Sequence, residues 1–292
     1  MATVIGRIQN FDNSLTPSEV KVADFLQRHP DEIINSSIHE VARLSGVSVA
    51  SVSRLALTLG YRDWKELRFS LVKDMNKTTA APVYADIGRQ DSDEAMIKKI
   101  FDCSVLSLND TFEQIDKDSV IRVVAAIEDA DRVAFFGTGR SGCFAREEAL
   151  RFAHLQITAD AYSDEYQMVL QSSRMREGQV AFGFSNSGRS RATVDALAEA
   201  KRNRALTVGI ANYRNTPLEK VSDVYFCTSF PRVGEISSSL TARIALLCIM
   251  DSVYVLSATR EKLSGGVEAA DKALDKALRI STRSRAAGGK RP

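Results

Sequence analysis

Cysteine, histidine and tryptophan are scarce in this 292-residue chain: four, three and one. The cysteines (Cys103, Cys143, Cys227, Cys248) are scattered, and no histidine lies near one of them in sequence. Neither a disulfide framework nor a metal-ligand spacing can be drawn from them, so no metal and no cofactor are expected. Long apolar runs are missing too. No uninterrupted stretch of about 20 apolar residues could span a bilayer, and no basic-then-apolar leader opens the chain. A reduced, cytoplasmic protein without a membrane partner is the expectation. Charge of one sign is also lacking: the formal net charge is +2, so bulk charge does not announce a nucleic-acid binder. What is plentiful is apolar side chain, 44% of residues, in a chain long enough for one to three domains.

Two segments stand out against this background. Val133-Ala-Phe-Phe-Gly-Thr-Gly-Arg-Ser-Gly142 and Val180-Ala-Phe-Gly-Phe-Ser-Asn-Ser-Gly-Arg-Ser190 are apolar runs that end in small, hydroxyl-rich, glycine-containing loops. A helical pattern follows each, from Cys143 to His154 and from Ala192 to Arg202. Strand, tight loop and helix aim backbone N–H groups and a positive dipole end at an anion. Gly137, Gly139, Ser141, Ser185, Ser187, Gly188 and Ser190 are therefore the candidate ligand-binding residues. Neither loop holds a lysine, which excludes the Gly-Lys-Ser/Thr nucleotide cradle and favours a phosphorylated small molecule.

Along the chain, residues 1–77 read as all helical, with five short helices. Thr16-Pro17-Ser18-Glu19, Ser37-Ile38-His39-Glu40 and Asp63-Trp64-Lys65-Glu66 have the layout of capping boxes. Residues 78–93 have low complexity and no periodicity, and form the linker candidate. From residue 94 two helical patterns (Glu94–Ile115, Asp118–Glu128) precede alternating strands and helices. Strands are predicted at Arg132–Phe136, Thr158–Ala161, Gln179–Phe184, Leu206–Ile210 and Asp223–Cys227, and a long apolar helix at Ser237–Thr259. Short apolar strands separated by helices predict a doubly wound α/β domain, residues 94–260, with a five-stranded parallel sheet. Residues 261–292, basic from about Ser281, are expected to be a disordered tail.

Within the helical part, Ile38 to Leu57 has the layout of a DNA-binding helix-turn-helix. Val41, Val47, Val52 and Leu55 would face the core, Gly46 would sit in the turn, and Ser48 would cap a second helix bound for the major groove. Ser48, Ala50, Ser51, Ser53 and Arg54 are then the outward, DNA-reading residues, arginine being suited to guanine and to phosphate. Residues 1–77 hold ten Lys/Arg against nine Asp/Glu. DNA affinity would thus rest on the placement of Arg43, Arg54, Arg62, Lys65 and Arg68 and on dimerisation.

Taken in order, Thr16-Pro-Ser-Glu-x-x-Val-Ala23, Ser48-Val-Ala-Ser-Val-Ser-Arg54, Leu59-Gly-Tyr61, Gly137-Thr-Gly-Arg-Ser141, Ser185-Asn-Ser-Gly-Arg-Ser190 and Ser239-Leu-Thr-Ala-Arg243 make the chain resemble the RpiR-type transcriptional regulators. These join a helix-turn-helix domain to a sugar isomerase (SIS) domain. The resemblance implies a phosphosugar-responsive regulator of sugar catabolism genes. Its partners would be a double-stranded DNA operator, a sugar phosphate effector and further copies of itself, as a homodimer or homotetramer. The chain departs from the family at Leu57, where a basic residue is common, at Tyr166, where a histidine is frequent, and at Ser190, commonly threonine. Glu235, ahead of Ser237–Ser239, is a candidate acceptor for sugar hydroxyls, whereas those serines more simply cap a helix and Cys143 reads as a small buried residue. The competing reading is a phosphosugar isomerase or related SIS-domain enzyme. It is disfavoured because no histidine–carboxylate pair falls near the loops and a catalyst has no need of a DNA-binding domain.

Overall fold

Capping chemistry sets the helices of the first domain. Thr16 and Glu19 form a complete capping box at the start of α2 (Pro17–Arg28): the Thr16 hydroxyl accepts from the Glu19 N–H at 3.4 Å and Glu19 Oε2 accepts from the Thr16 N–H at 2.9 Å. Ser37 caps α4 (Ile38–Ser45) and Ser48 caps α5 (Val49–Thr58). Together with α1 (Val4–Phe11), the one-turn α3 (Pro30–Ile33) and α6 (Trp64–Lys77) these make six α-helical segments among the described residues, one more than the sequence predicts. Their apolar stripes meet in one core built on Val4, Ile8, Val22, Leu26, Val41, Val52, Leu55 and Leu67. Glu19 braces it from within. It is 4% exposed, and its Oε1 accepts from the Thr58 hydroxyl at 2.8 Å, tying α2 to the last turn of α5.

The computed structural model describes residues 3–11, 14–33, 36–77, 91–230 and 239–287. Most of the expected linker, residues 78–90, lies outside the described residues. Its last residue, Asp93, already belongs to a helix.

The second domain opens with α7 (Asp93–Gln114) and α8 (Lys117–Asp129). It then alternates: β1 (Arg132–Gly137), α9 (Arg140–Phe152) with a 3-10 turn at Ala153–Leu155, β2 (Thr158–Tyr162), α10 (Glu165–Ser172), β3 (Val180–Phe184), α11 (Arg191–Arg202), β4 (Leu206–Ala211), α12 (Pro217–Val221), β5 (Val224–Cys227) and α13 (Ser239–Ala258). The five strands form one sheet in the order β2-β1-β3-β4-β5, every pairing parallel. Strands buried on both faces need continuous apolar sequence, and β1 supplies it. Val133 and Phe135 point into a core covered by α8, α9 and α13, while Ala134 and Phe136 point into a second core under α10 and α11. Stacked rings fill the first core, with Phe135 at 5.2 Å from Phe182 and Phe144 edge-on to Phe184 at 4.8 Å.

The predicted strands and helices therefore stand where their periodicity puts them, within a few residues at each end. The exception is the tail. Instead of a disordered stretch from residue 261, the chain continues as α14 (Ser264–Ala287). Its physical cause is local: Ala269, Ala270, Ala273 and Ala277 are strong helix formers, and Glu268 pairs with Lys272 one turn on at 2.5 Å. Val267 anchors the helix on the first core, and Gly266 passes so close to the His154–Leu155 backbone that a Cβ would lie 2.7 Å from the His154 carbonyl oxygen.

Candidate functional site

In the order β2-β1-β3-β4-β5 the direction of winding reverses between β1 and β3, so α9 and α11 leave the sheet on opposite faces. Ligands of open α/β sheets bind at such a switch point, beyond the carboxyl ends of the strands. A cavity of about 510 Å3 lies there, in the ordinary size range of a small-molecule site.

The β1–α9 loop forms one wall. At Gly137 an added Cβ would lie 2.6 Å from the Ser141 carbonyl oxygen, so the strand end and the first helical turn interlock. The β3–α11 loop forms the other wall. Gly188 has φ +65° and packs on Thr216, whose side-chain atoms would lie 2.5 to 2.7 Å from any Cβ. The loops are joined by hydroxyls, because Ser190 Oγ lies 3.0 Å from Thr138 Oγ1 and accepts from the buried Thr193 at 3.3 Å. Ser185 Oγ accepts from the Ser190 N–H at 3.3 Å.

Among the described residues, two kinds of helix start can be contrasted. Helices α2, α4, α5, α7, α8, α10 and α12 have a first turn capped by a side chain. Helices α9 and α11, which begin at Gly139 and Ser190, have none. No side chain satisfies the leading N–H groups of these two helices.

Ser141, Ser185, Ser187 and Ser190 all line the cavity, while Gly137, Gly139 and Gly188 lie in the same two loops without lining it. Glu235 and Ser237–Ser239 are not placed: residues 231–238, and the side chain of Ser239, lie outside the described residues. Cys143 departs from its expected burial; it is exposed and lines the cavity, because position 143 falls on the open side of the first turn of α9. Tyr166 is 77% exposed on α10 and is not part of the wall. Arg140 lines the cavity and Arg189 does not.

Several wall residues are not among the candidates drawn from the sequence. Asn186, Asn212 and Thr228 stand at the ends of β3, β4 and β5, and Glu147 and Arg243 reach in from α9 and α13. Glu147 is four residues beyond Cys143, one helical turn, and that spacing could have found it. Asn186 and Arg243 stand inside the motifs that carry the family resemblance, and nothing local marks Asn212 and Thr228.

The helix-turn-helix closes as its sequence requires. Gly46 adopts φ +66°, a left-handed helix end that favours glycine, and the Val47 N–H donates to the Ala42 carbonyl at 2.9 Å. Val41, Val52 and Leu55 are fully buried, and Val47 is half-buried against them. Ser48, Ala50 and Arg54 of the second helix are exposed and Ser53 is half-buried. Ser51 corrects the expectation of an outward side chain. It is 3% exposed, since its hydroxyl sits 3.0 Å from that of the capping Ser48 and accepts from Arg54 Nη2 at 3.1 Å.

Residues 2–78 match the helix-turn-helix domain of the rpiR family, and residues 126–254 match the SIS domain. The chain belongs to the RpiR-type transcriptional regulators. Among the relatives of this regulator, an HTH-type transcriptional regulator of Caldanaerobacter subterraneus subsp. tengcongensis is 27% identical over 261 residues, 89% of this chain and 92% of its own. One from Thermotoga maritima is 28% identical over 259 residues, 88% of this chain and 92% of its own. Among solved structures, the Vibrio vulnificus NanR protein complexed with ManNAc-6P superposes with a TM-score of 0.58 at 20% identity, covering 94% of this chain and 98% of that one. The sugar isomerase domain of an RpiR transcription factor from Sphaerobacter thermophilus gives 0.53 at 21% identity, covering 60% of this chain and 98% of that one. These likenesses bear out the RpiR-type architecture expected from the sequence. No helix among the described residues is long and apolar enough to cross a membrane.

Proposed function

We propose that this regulator senses a sugar phosphate in the switch-point cavity and that the bound phosphate changes its grip on an operator. The observation that carries the reading is the convergence of four serines and two uncapped helix starts, α9 and α11, on one cavity. Ser141, Ser185, Ser187 and Ser190 supply hydroxyl donors, and the first turns of α9 and α11, which no side chain caps, supply N–H groups. Arg140 and Arg243 add positive charge at the wall. Glu147 offers a carboxylate to sugar hydroxyls, the role also proposed for Glu235. The NanR protein, complexed with ManNAc-6P, supports the ligand class.

Thermal-shift measurements on matched sugars and sugar phosphates, ManNAc-6P among them, test this. The phosphorylated member of a pair should bind far more strongly, since hydrogen bonds to a charged acceptor are the strong ones. Equal shifts within every pair would remove the phosphate argument. Ser185→Ala should blunt the ligand response while leaving DNA affinity near that of the wild type.

In the same reading α5 enters the major groove with Ser48, Ala50, Ser53 and Arg54 toward the DNA. Two such helices on one duplex require a dimer. Support comes from α7, where Ile97, Phe101, Val105 and Phe112 leave an apolar stripe exposed, Phe101 by 69%. A second copy is the proposed occupant, and sedimentation should give at least twice the 32.1 kDa chain mass. The protein acts as a sensor rather than a catalyst. Among the described wall residues Glu147 is the sole carboxylate and no histidine is present, and a sensor needs only differential affinity between two conformations. Multiple turnover of an aldose or ketose phosphate, followed by NMR, would overturn this.

A further inference from the structure

Helix α1 belongs to both domains. One side of it is sunk in the helical core through Val4, Ile5 and Ile8. On that side the Val4 N–H donates to Asp74 at 2.8 Å, and Arg7 donates to the Leu59 carbonyl at 3.0 Å while lying over the Tyr61 ring. The other side rests on the α/β domain. Thr3 donates to Asp110 from its N–H at 2.9 Å and from its hydroxyl at 2.6 Å. Gly6 approaches so closely that a Cβ would come within 2.3 Å of the same carboxylate.

At the end of α1 stands Asn10, with no exposed surface. Its Nδ2 donates to the Asn212 carbonyl at 2.7 Å and to the Thr228 carbonyl at 2.8 Å, with Cys227 Sγ at 3.2 Å. Acceptors on every side of this nitrogen fix the orientation of the amide. The Asn10 carbonyl accepts from the Arg214 N–H at 2.8 Å. A residue of the helix-turn-helix domain thus clamps the carboxyl ends of β4 and β5 together.

Those strand ends are cavity wall. Thr228 Oγ1 donates to Asn212 Oδ1 at 2.8 Å, and the Asn212 side-chain amide donates to Asn186 Oδ1. The Asn212 N–H also donates to the Asn186 carbonyl at 3.1 Å. Asn186 sits between Ser185 and Ser187, on the loop that carries three of the four candidate phosphate donors. A continuous chain of hydrogen bonds therefore runs from Asn10 through Asn212 and Thr228 to that serine loop.

We propose that Asn10 is a positioning residue for the ligand cavity, contributed by the DNA-binding domain and acting through Asn212. It sets the spacing of the β4 and β5 ends and, through Asn186, the conformation of the loop that receives the phosphate. Coupling free energies are reciprocal. If α1 docking favours the binding-ready loop, an occupied loop favours docked α1, and α1 carries that bias into the helical core. The proposal rests on the phosphate-binding reading above and goes beyond it by naming the route between the sites.

The test uses the full chain, inorganic phosphate as the probe and the sole tryptophan, Trp64, as the reporter. Trp64 is 6% exposed in the helical core, away from the cavity. Phosphate affinity is measured by calorimetry, and Trp64 emission and its quenching by acrylamide are followed over the same titration. In the wild type both signals should saturate together. In Asn10→Ala the phosphate dissociation constant should rise about fivefold or more, the low end of ordinary coupling, and the Trp64 response should vanish. A residue that merely stabilised the fold would lower the melting temperature and leave both readouts unchanged, and that outcome overturns the proposal. Hydrogen exchange of residues 4–11 in the wild type needs no variant. Slower exchange with phosphate supports the route, and unchanged exchange in phosphate-saturated protein overturns it. Failure of the wild type to bind phosphate at all refutes the cradle itself, a result separable from failure of the route.

Discussion

Replacing Glu148 with glutamine probes how the α/β domain tolerates a buried charge. Glu148, on α9, has no exposed surface. Its Oε1 accepts from Arg151 Nη1 at 3.3 Å, and its Oε2 has no hydrogen-bond partner among the described residues. Burial, which Arg151 only partly offsets and Glu147 and Asp251 reinforce, pushes its carboxyl up from 4.5 to about 7. An acid that holds its proton more tightly in the fold than in the unfolded chain makes stability fall as pH rises from about 4.5 to about 7. At about 1.4 kcal/mol per pH unit, a rise from 4.5 to about 7 corresponds to about 3 kcal/mol at pH 8.5. Glutamine keeps the shape and an acceptor for Arg151 but cannot ionise. Glu148→Gln should therefore melt with the wild type near pH 4.5 and above it at pH 8.5, by roughly 6–12 °C for a domain of this size. Calorimetry from pH 4.5 to 8.5 reads this directly. A difference that stays flat across the range would refute the reasoning. A variant that is less stable at pH 8.5 would show that the ion pair with Arg151, itself held by Asp251 at 2.6 Å, outweighs the cost of burial.

Arg54→Ala should weaken operator binding by about 1–3 kcal/mol per half-site in gel-shift titrations and leave sugar phosphate affinity unchanged, because Arg54 is exposed on α5 and lies outside the route from Asn10 to the cavity. Gly188→Ala combines a φ of +65° with overlap on Thr216, so it should cost clearly more than about 1 kcal/mol in urea unfolding; Gly139→Ala, with a φ of +57° and open space around its Cβ, should cost less. Glu19 would be raised by its burial, but hydrogen bonds from Thr16 and Thr58, with Arg54 nearby, hold it below the usual 4.5. Its contribution is therefore complete above pH 4.5 and lost as pH falls through the depressed value. Accordingly Glu19→Gln should cost about 1–3 kcal/mol at pH 7 and approach the wild type in acid, measured by urea titration at each pH.

Much of this molecule was legible in its sequence because its signals are local. A parallel sheet buried on both faces needs runs such as Val133–Phe136, and a helix start needs an acceptor such as Thr16 or Ser37. Both are read within a few residues of where they act. The serine loops were legible for the same reason, since strand, loop and helix are consecutive. Ser51 was misread because helical spacing alone cannot tell a residue that faces DNA from one whose hydroxyl supports the cap and the neighbouring arginine. The tail was misread because its charge, noticed first, masks four alanines and a Glu268–Lys272 pair that favour a helix whatever the domain does.

The least legible part is the one that joins the halves. Asn10 follows Ile8 and Gln9 in a segment with no turn signal, and the residues it holds are 202 and 218 positions away. No periodicity links such distances; only the fold of the sheet, which brings the ends of β4 and β5 together, creates the two carbonyls that an amide can bridge. A leucine at position 10 would suit the helix better by propensity, yet would leave those carbonyls without their donor. The asparagine is thus explained by the joint and not by the helix. It is fully buried, and among the described residues nothing donates to its Oδ1. A buried amide satisfied on one side only is costly. Under the coupling proposed above, such a cost at the seam between domains would keep docked and undocked arrangements closer in free energy than a fully satisfied contact, which is the condition under which a ligand of modest differential affinity can shift one toward the other.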